Sequence, residues 1–164
     1  MTGGFASRAD LKAIEAESSW ESRDIAHSIY DFLSRTRAKH GPRPAISYQL
    51  LSGPADPAQT LTWNQLHARV TQTANLFRSL GIGPTDVVAY VLPNALETAI
   101  TLLAGATAGI VNPINPLLEP AQISSILRET GAKVVVTLKA FPKTDLAQKV
   151  AEAVTHAPGV KTVL

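Results

Sequence analysis

The chain has 164 residues, a formal net charge of +2, 45% hydrophobic residues and only 5% aromatic residues. This length suits one domain with a sizeable core, and the weak charge and few aromatic side chains argue against a nucleic-acid-binding surface. The absence of cysteine excludes disulfides, thiolate metal sites and cysteine nucleophiles. The N-terminus lacks the apolar core of a signal peptide, and no apolar run reaches the roughly 20 residues of a membrane span. We therefore expect a cytoplasmic protein.

The N-terminal segment is polar and weakly periodic, which predicts a flexible arm over residues 1–21, followed by one α/β unit over residues 22–164. Four apolar residues at helical spacing predict a helix with one buried face: Ile25, Ile29, Phe32 and Leu33. Gly41, followed by Pro42, is predicted to end this helix in the C′ position. Its polar face is basic, so a membrane-surface helix is an alternative that we rank below a docking helix.

Residues 45–51 predict a strand, and residues 52–59 predict a loop rich in proline, glycine and aspartate. Thr62 and Gln65 have the spacing of a capping box, in which each side chain accepts a backbone hydrogen bond at a helix start. That helix is predicted to end at Gly81. The continuous apolar run over residues 87–92 predicts a strand that is covered on both faces.

The stretch GATAGIVNPINP, residues 105–116, follows a predicted helix of small and apolar residues over 95–108. Asn94 and Glu97 have the spacing of a second capping box; a buried acid at Glu97 is the alternative. Small residues from Gly105 to Gly109 predict a close approach between helix and sheet. Pro113 and Pro116 each remove a backbone donor, so we expect a short buried strand, Ile110 and Val111, that ends before them. The stiff loop beyond it is either a plain connector or part of a ligand site.

Glu119 and Pro120 predict a further helix start, with proline in the first turn, and Gly131 predicts the end of that helix. A buried strand is predicted over residues 133–138, and Thr144 or Asp145 is predicted to cap a helix through about His156. Residues 160–164 begin another strand. The regular alternation of strands and helices predicts an α/β fold with a parallel sheet and flanking helices. Because the last residues fall within a strand pattern, we expect the front part of a longer protein.

Several motifs in this order resemble the N-terminal region of the AMP-forming acyl-CoA synthetases, which belong to the adenylate-forming superfamily. LTWNQL resembles the family's L-T-Y-x-E-L motif, with Trp63 in place of tyrosine and Gln65 in place of glutamate. PTDVVA, then LPN and Glu97, resemble a second motif, and GATAGIVNPINP resembles the family's G-A-x-x-x-P-x-N-P signature. The resemblance covers about residues 45–164, and its specificity comes from the combination of motifs.

The resemblance implies that a parent protein joins a carboxylic acid, fatty or aryl, to ATP and transfers the acyl group to coenzyme A with the help of Mg²⁺. The family's glycine-rich phosphate loop and its later acidic, arginine and lysine residues have no counterpart in this sequence. FPKTDL contains Pro142 and Lys143 but no glycine, and we reject it as a phosphate loop. We therefore assign no catalytic, cofactor-binding or metal-binding residue, and we expect an inactive fragment that packs against the remainder of the synthetase.

Histidine chemistry offers no competing interpretation. The four histidines have no metal-ligand spacing among them: His27, His40, His67 and His156. We expect them to lie on the surface or at helix ends, where a positive charge near a helix C-terminus is favourable. A stand-alone small α/β ligand-binding or protein-interaction module remains the alternative function, and a degenerate synthetase half kept for protein contacts is a weaker one.

Overall fold

The computed structural model describes residues 7–50, 53–139 and 144–164. Its strands are β1 (Pro44–Gln49), β2 (Ala58–Thr62), β3 (Val87–Val91), β4 (Ile110–Ile114), β5 (Ala132–Thr137) and β6 (Thr162–Val163). Its α-helices are α1 (Arg8–Glu17), α2 (Ile29–His40), α3 (Trp63–Ser79), α4 (Leu96–Ala108), α5 (Pro120–Thr130) and α6 (Leu146–Thr155). A short 3-10 helix, Glu21–Arg23, lies between α1 and α2.

The main sheet is parallel, with the strand order β4-β3-β5-β6. This confirms the predicted α/β class and the parallel sheet with flanking helices. The first predicted strand, however, lies outside that sheet. It is β1, which pairs antiparallel with β2 in a separate hairpin, with Ile46 opposite Leu61. The connection, residues 50–57, is shorter than the dozen or so residues of a parallel crossover. Ala58 and Gln59, predicted as loop, are in β2.

The core has two parts, one on each face of the parallel sheet. On one face, α2, α3 and α4 pack over Val88 and Val134; on the other, α5 and α6 pack over Val91 and Val135. All five residues of β3 are buried, as the continuous apolar run predicts for a strand covered on both faces. Alternation of side chains along the central strands therefore divides the apolar residues between the two layers.

Helix α3 begins and ends where the sequence predicts. Thr62 Oγ1 accepts from the Gln65 backbone N–H at 3.3 Å, and Gln65 Oε1 accepts from the Thr62 N–H at 2.9 Å. At the other end Gly81 has a φ of +85°, a left-handed conformation that glycine adopts at low cost. The Ile82 N–H then donates to the Phe77 carbonyl at 3.1 Å, which folds Ile82 back into the core.

The second predicted capping box, Asn94 with Glu97, is wrong. The N-cap of α4 is Ala95, and no side chain caps it. Glu97 is exposed, so the alternative of a buried acid is also wrong. The Thr98 hydroxyl instead donates to the Pro93 carbonyl. Helix α4 therefore depends on burial of its apolar side chains rather than on a side-chain cap.

These two helix starts give a paired prediction. We expect Thr62→Ala to lower the free energy of unfolding by about 1 kcal/mol, because it removes a side-chain acceptor at the N-cap. Asn94→Ala, at the position that only the sequence pattern assigns as a cap, is expected to change it by less than about 0.5 kcal/mol. Urea denaturation of both variants measures the difference. Equal losses in the two variants would contradict the observed cap assignments.

Helix α2 differs from its prediction in two ways. Ile25 precedes the helix, and of the four apolar residues only Leu33 is buried. Gly41 ends the helix, but its φ of −37° is not left-handed. A Cβ at Gly41 would lie 2.7 Å from Asn64 Oδ1, so a larger residue there would displace the Asn64 side chain. The Asn64 N–H also donates to the Gly41 carbonyl at 2.9 Å.

Helix α1 was not predicted and lies within the segment predicted as a flexible arm, residues 1–21. Ser7 and Asp10 form a capping box at its start, and none of its residues is buried. The domain boundary at residue 22 stays a prediction. Across the described ranges 7–50, 53–139 and 144–164, no helix is long and apolar enough to cross a membrane.

The C-terminal elements follow their predictions closely. Glu119 and Gln122 form a capping box at the start of α5, with Pro120 in the first turn. Gly131, with a φ of +65°, ends this helix. At the start of α6, the Thr144 hydroxyl accepts from the Leu146 N–H at 3.3 Å. The C-terminal part of the unit is therefore encoded mostly by local signals.

Candidate functional site

The stretch GATAGIVNPINP joins α4 to β4 through two close approaches. A Cβ added to Gly105 would lie 2.9 Å from both Cβ and Cγ2 of Val111. Helix α4 therefore packs directly on the strand that follows it, as the small residues predict. A Cβ at Gly109 would lie 2.5 Å from the Asp86 carbonyl oxygen and 2.6 Å from that of Gly83. These two glycines fix the position of β4 relative to β3.

Strand β4 is longer and more exposed than predicted. It continues through Pro113 to Ile114, and Ile110 is half exposed. The reason is its place at the edge of the described sheet. The Ile110 N–H donates to the Asp86 carbonyl on the β3 side at 2.8 Å. Because backbone N–H groups alternate in direction along a strand, the nitrogen of Pro113 faces away from β3. There its missing N–H costs no ladder bond.

The C-terminal edge of this sheet is where parallel α/β folds place their ligands. Just beyond β4, Asn115 Oδ1 accepts from the Leu117 N–H at 2.9 Å, a local turn that fixes the proline loop. Thr137, the last residue of β5, donates its hydroxyl to the Val91 carbonyl at 3.1 Å. Side chains therefore hold the loop after β4 and join the end of β5 to the end of β3.

Within β4 itself, Asn112 carries an unusual amide. Its Nδ2 atom is buried and has no hydrogen-bond partner among the described residues. A buried donor without an acceptor costs free energy. This amide lies one residue before the first proline of the stretch, and nothing in the sequence pattern predicts its burial.

The opposite edge of the sheet, where its strands begin, is held by an ion pair. Asp86 Oδ1 lies 2.6 Å from Lys133 Nζ, and Asp86 Oδ2 accepts from the Gly83 N–H at 2.8 Å. The hydrogen bond from Lys133, followed by that from Gly83, lowers the pKa of Asp86 below its ordinary value. The pair joins the start of β3 to the start of β5.

The lowered pKa of Asp86 gives a signed pH dependence. The folded protein binds the proton of the Asp86 carboxyl more weakly than the unfolded chain does. The contribution of ionised Asp86 to stability is therefore complete above the ordinary pKa of 3.8, and it is lost as the pH falls through the lower pKa of the folded state. We expect Asp86→Asn to destabilise the chain at neutral pH and to lose part of the dependence on acid pH. Urea unfolding between about pH 2 and pH 7 measures this difference. Parallel pH profiles for the two proteins would contradict the assignment.

His67 is the histidine with a defined polar environment. Ser34 Oγ donates its one proton to the Tyr30 carbonyl at 2.8 Å, so it accepts from His67 Nε2 at 3.0 Å. The neutral Nε2–H tautomer satisfies this arrangement. Burial, and secondarily the charge of Arg37, lowers the pKa of His67. This side chain therefore serves the contact between α2 and α3.

The remaining histidines are scattered as the sequence predicts. His40 is the last residue of α2, and His156 is the C-cap of α6. In the part of the chain that the structure describes, no three residues of the His, Cys, Asp and Glu types are grouped to hold a metal ion. The rejected phosphate-loop candidate at Pro142 and Lys143 lies outside the described residues. The prediction that the chain carries no catalytic, cofactor-binding or metal-binding residue remains a prediction.

Comparison with known proteins gives this scaffold a family. The profile of the family described as AMP-binding enzyme matches residues 33–164. The chain belongs to the AMP-binding enzyme family. Among its curated relatives, the acetyl-coenzyme A synthetase of Sodalis glossinidius is 35% identical over 136 residues, which are 80% of this chain and 20% of that protein. The marinolic acid–CoA ligase of a Pseudoalteromonas species is 35% identical over 130 residues, which are 79% of this chain and 20% of that protein.

Solved structures of CoA ligases share the fold. The anthranilate CoA ligase AuaEII in complex with anthranoyl-AMP has a TM-score of 0.71 at 18% identity; the match covers 87% of this chain and 25% of that chain. The chain spans about a fifth of the length of the curated relatives it matches. The family resemblance read from GATAGIVNPINP and its neighbouring motifs is thereby confirmed.

Proposed function

We propose that this chain is the N-terminal part of an AMP-forming acyl-CoA synthetase. The observation that carries the proposal is the family match over residues 33–164. In the parent reaction, a carboxylate oxygen attacks the α-phosphorus of ATP, the bond to pyrophosphate breaks, and an acyl-adenylate forms. The sulfur of coenzyme A then attacks the acyl carbon, and AMP leaves.

Within this reaction we assign the chain a structural part. Both steps develop negative charge on oxygen, which Mg²⁺ and cationic side chains would offset. The described residues include no cluster of carboxylates and histidines that could hold a metal ion. We therefore assign neither chemical step to residues of this chain. The sheet, fixed by the close approaches at Gly105 and Gly109, would support the acid pocket and pack against the remainder of the synthetase. We place the parent in the cytoplasm, in keeping with the absence of cysteine.

The substrate class is a carboxylic acid. The relatives are named for acetate and marinolic acid, and a structural neighbour is named for anthranilate. We propose a fatty or aryl acid for this protein. The test is a pyrophosphate-release assay on the protein encoded by the complete gene, with ATP, Mg²⁺ and a panel of acetate, a long-chain fatty acid and benzoate. Addition of coenzyme A should then release AMP with one of them.

The matching assay uses the 164-residue chain alone. We expect no AMP above the buffer control, because the nucleotide-binding and catalytic residues would lie elsewhere in the parent. Turnover by the chain alone would refute this division of roles, and a folded complete protein that releases no pyrophosphate with any acid would refute the synthetase. Calorimetry with ATP, AMP and acyl compounds completes the test. Micromolar binding by the chain alone would favour a stand-alone binding module.

A further inference from the structure

Helix α1 is a complete helix with an unburied apolar stripe. Residues 1–32 precede the region that matches the family, so α1 lies outside that match. Leu11 and Ile14 lie one turn apart on the same side, and Leu11 is 54% exposed. An isolated helix shorter than about 12 residues is marginal in water, and helices in proteins are stabilised mostly by packing of an apolar face. Helix α1 has ten residues and none is buried, so its apolar side is open to packing against another surface.

A groove of matching character runs along the outer side of α2. Its volume is about 810 Å³, and its apolar lining includes Ile25 and Phe32, which are 47% and 55% exposed. Arg35 and Lys39 lie on its rim. These are the apolar residues whose helical spacing predicted a buried face. The groove is lined by no residue of α1 from the same chain.

The charges of the helix and the groove are complementary. Glu15 lies one turn from Leu11 beside the apolar stripe, and it forms no ion pair with any described residue. On the groove, Arg35 is already bound to Asp24 at 2.8 Å. Lys39 forms no ion pair within the described ranges. The helix thus offers an acid and the groove a base.

The helix that fills the groove could be α1 of the same chain or α1 of a second copy, and the contacts of Arg23 distinguish the two. Its guanidinium donates to the carbonyls of Ile14 and Ser18, which fastens the end of α1 to the 3-10 helix. Docking of α1 into the groove of its own chain would require these bonds to break. A second copy of the chain can supply α1 to the groove with the bonds intact.

We propose that α1 of one copy packs into the α2 groove of a second copy, and that the exchange is reciprocal. Leu11 and Ile14 then cover Ile25 and Phe32, and Glu15 lies near Lys39. Such an arrangement is a two-fold dimer with two equivalent helix-in-groove contacts. It involves neither nucleotide nor acid, so its test on the 164-residue chain can fail or succeed separately from the synthetase assay.

The first test is the mass of the 164-residue chain by sedimentation equilibrium, from about 10 μM to about 1 mM. We expect a concentration-dependent dimer. Leu11→Glu and Phe32→Glu should each weaken dimerisation at least about tenfold, since each places a charge in the apolar contact. Ala13→Glu, on the opposite side of α1, is the matched control and should leave the dimer intact. A monomer at every concentration, or equal loss in the control, would overturn the proposal.

The second test separates exchange between copies from docking within one copy. The chain has no cysteine, so Leu11→Cys and Phe32→Cys can be made as single-site variants and mixed. A short bismaleimide should join the two different chains covalently. In a chain that carries both cysteines, cross-linking that gives only monomers would show docking within one copy and overturn the proposal. Glu15→Lys or Lys39→Glu should weaken the dimer, and the double variant should restore it.

Discussion

Phe77→Ala is expected to lower the free energy of unfolding by about 4 kcal/mol. The Phe77 side chain is 1% exposed and lies in the core between α3, α4 and the sheet. Its removal forfeits the transfer free energy of the ring and leaves a cavity that the sheet and α4 close only partly. Urea denaturation measures the loss. Because a domain of this size has a total stability of about 5–15 kcal/mol, Phe77→Leu, expected to cost about 1.5 kcal/mol, provides a milder variant at the same position.

Phe32→Ala is the matched control for this prediction. The same side chain is removed from another helix of the same layer, but Phe32 is 55% exposed. At a concentration where the chain is monomeric, we expect a change within about 0.5 kcal/mol. A cost at Phe32 as large as that at Phe77 would mean that the α2 face is buried within the monomer.

Gly109→Ala is expected to destabilise the chain by about 3 kcal/mol, the upper part of the range for overpacking. The new Cβ would lie 2.5 Å from the Asp86 carbonyl oxygen and 2.6 Å from that of Gly83. Neither oxygen can move away at low cost, because each already accepts a bond: the Ile110 N–H donates to Asp86 at 2.8 Å and the Asp86 N–H donates to Gly83 at 3.0 Å.

Gly159→Ala tests whether this loss comes from the close contact or from glycine replacement in general. Its Cβ would meet its nearest neighbour, the Ala132 carbonyl oxygen, at 3.7 Å, an ordinary contact. We expect a change of less than about 1 kcal/mol, with a small gain from the reduced freedom of the unfolded chain. Thermal unfolding of both variants gives the comparison. Similar losses would mean that the clash at Gly109 is relieved by movement of the backbone.

The features predicted correctly depend on neighbours in sequence. The capping box of Thr62 and Gln65, the helix end at Gly81 and the buried strand β3 are each specified within a few residues. The close approach at Gly105 was also predicted, because small residues leave few other interpretations. Its partner, Val111, is only six positions away in the chain.

The failed predictions depend on contacts distant in sequence. Pairing of β1 with β2 is a choice of partner that an apolar pattern does not encode. The strand containing Pro113 was predicted to end early, because its edge position is known only from the strand order. Asn94 and Glu97 have the spacing of a cap, but the backbone of Ala95 takes the N-cap position. For the site, the family was predictable from ordered motifs, whereas the burial of the Asn112 amide required coordinates.

The proline in β4 also bears on how the chain behaves among copies of itself. An open strand offers a row of backbone donors and acceptors on which another chain can grow into an aggregate. In β4 the outward row is interrupted at Pro113, which has no donor, and each prospective neighbour would lose a bond at that point. Pro113 therefore makes β4 a poorer template for an added strand along this edge of the described sheet. The run that seats α4 on β4 through Gly105 thus also carries the proline that limits strand addition at the exposed edge of the described sheet.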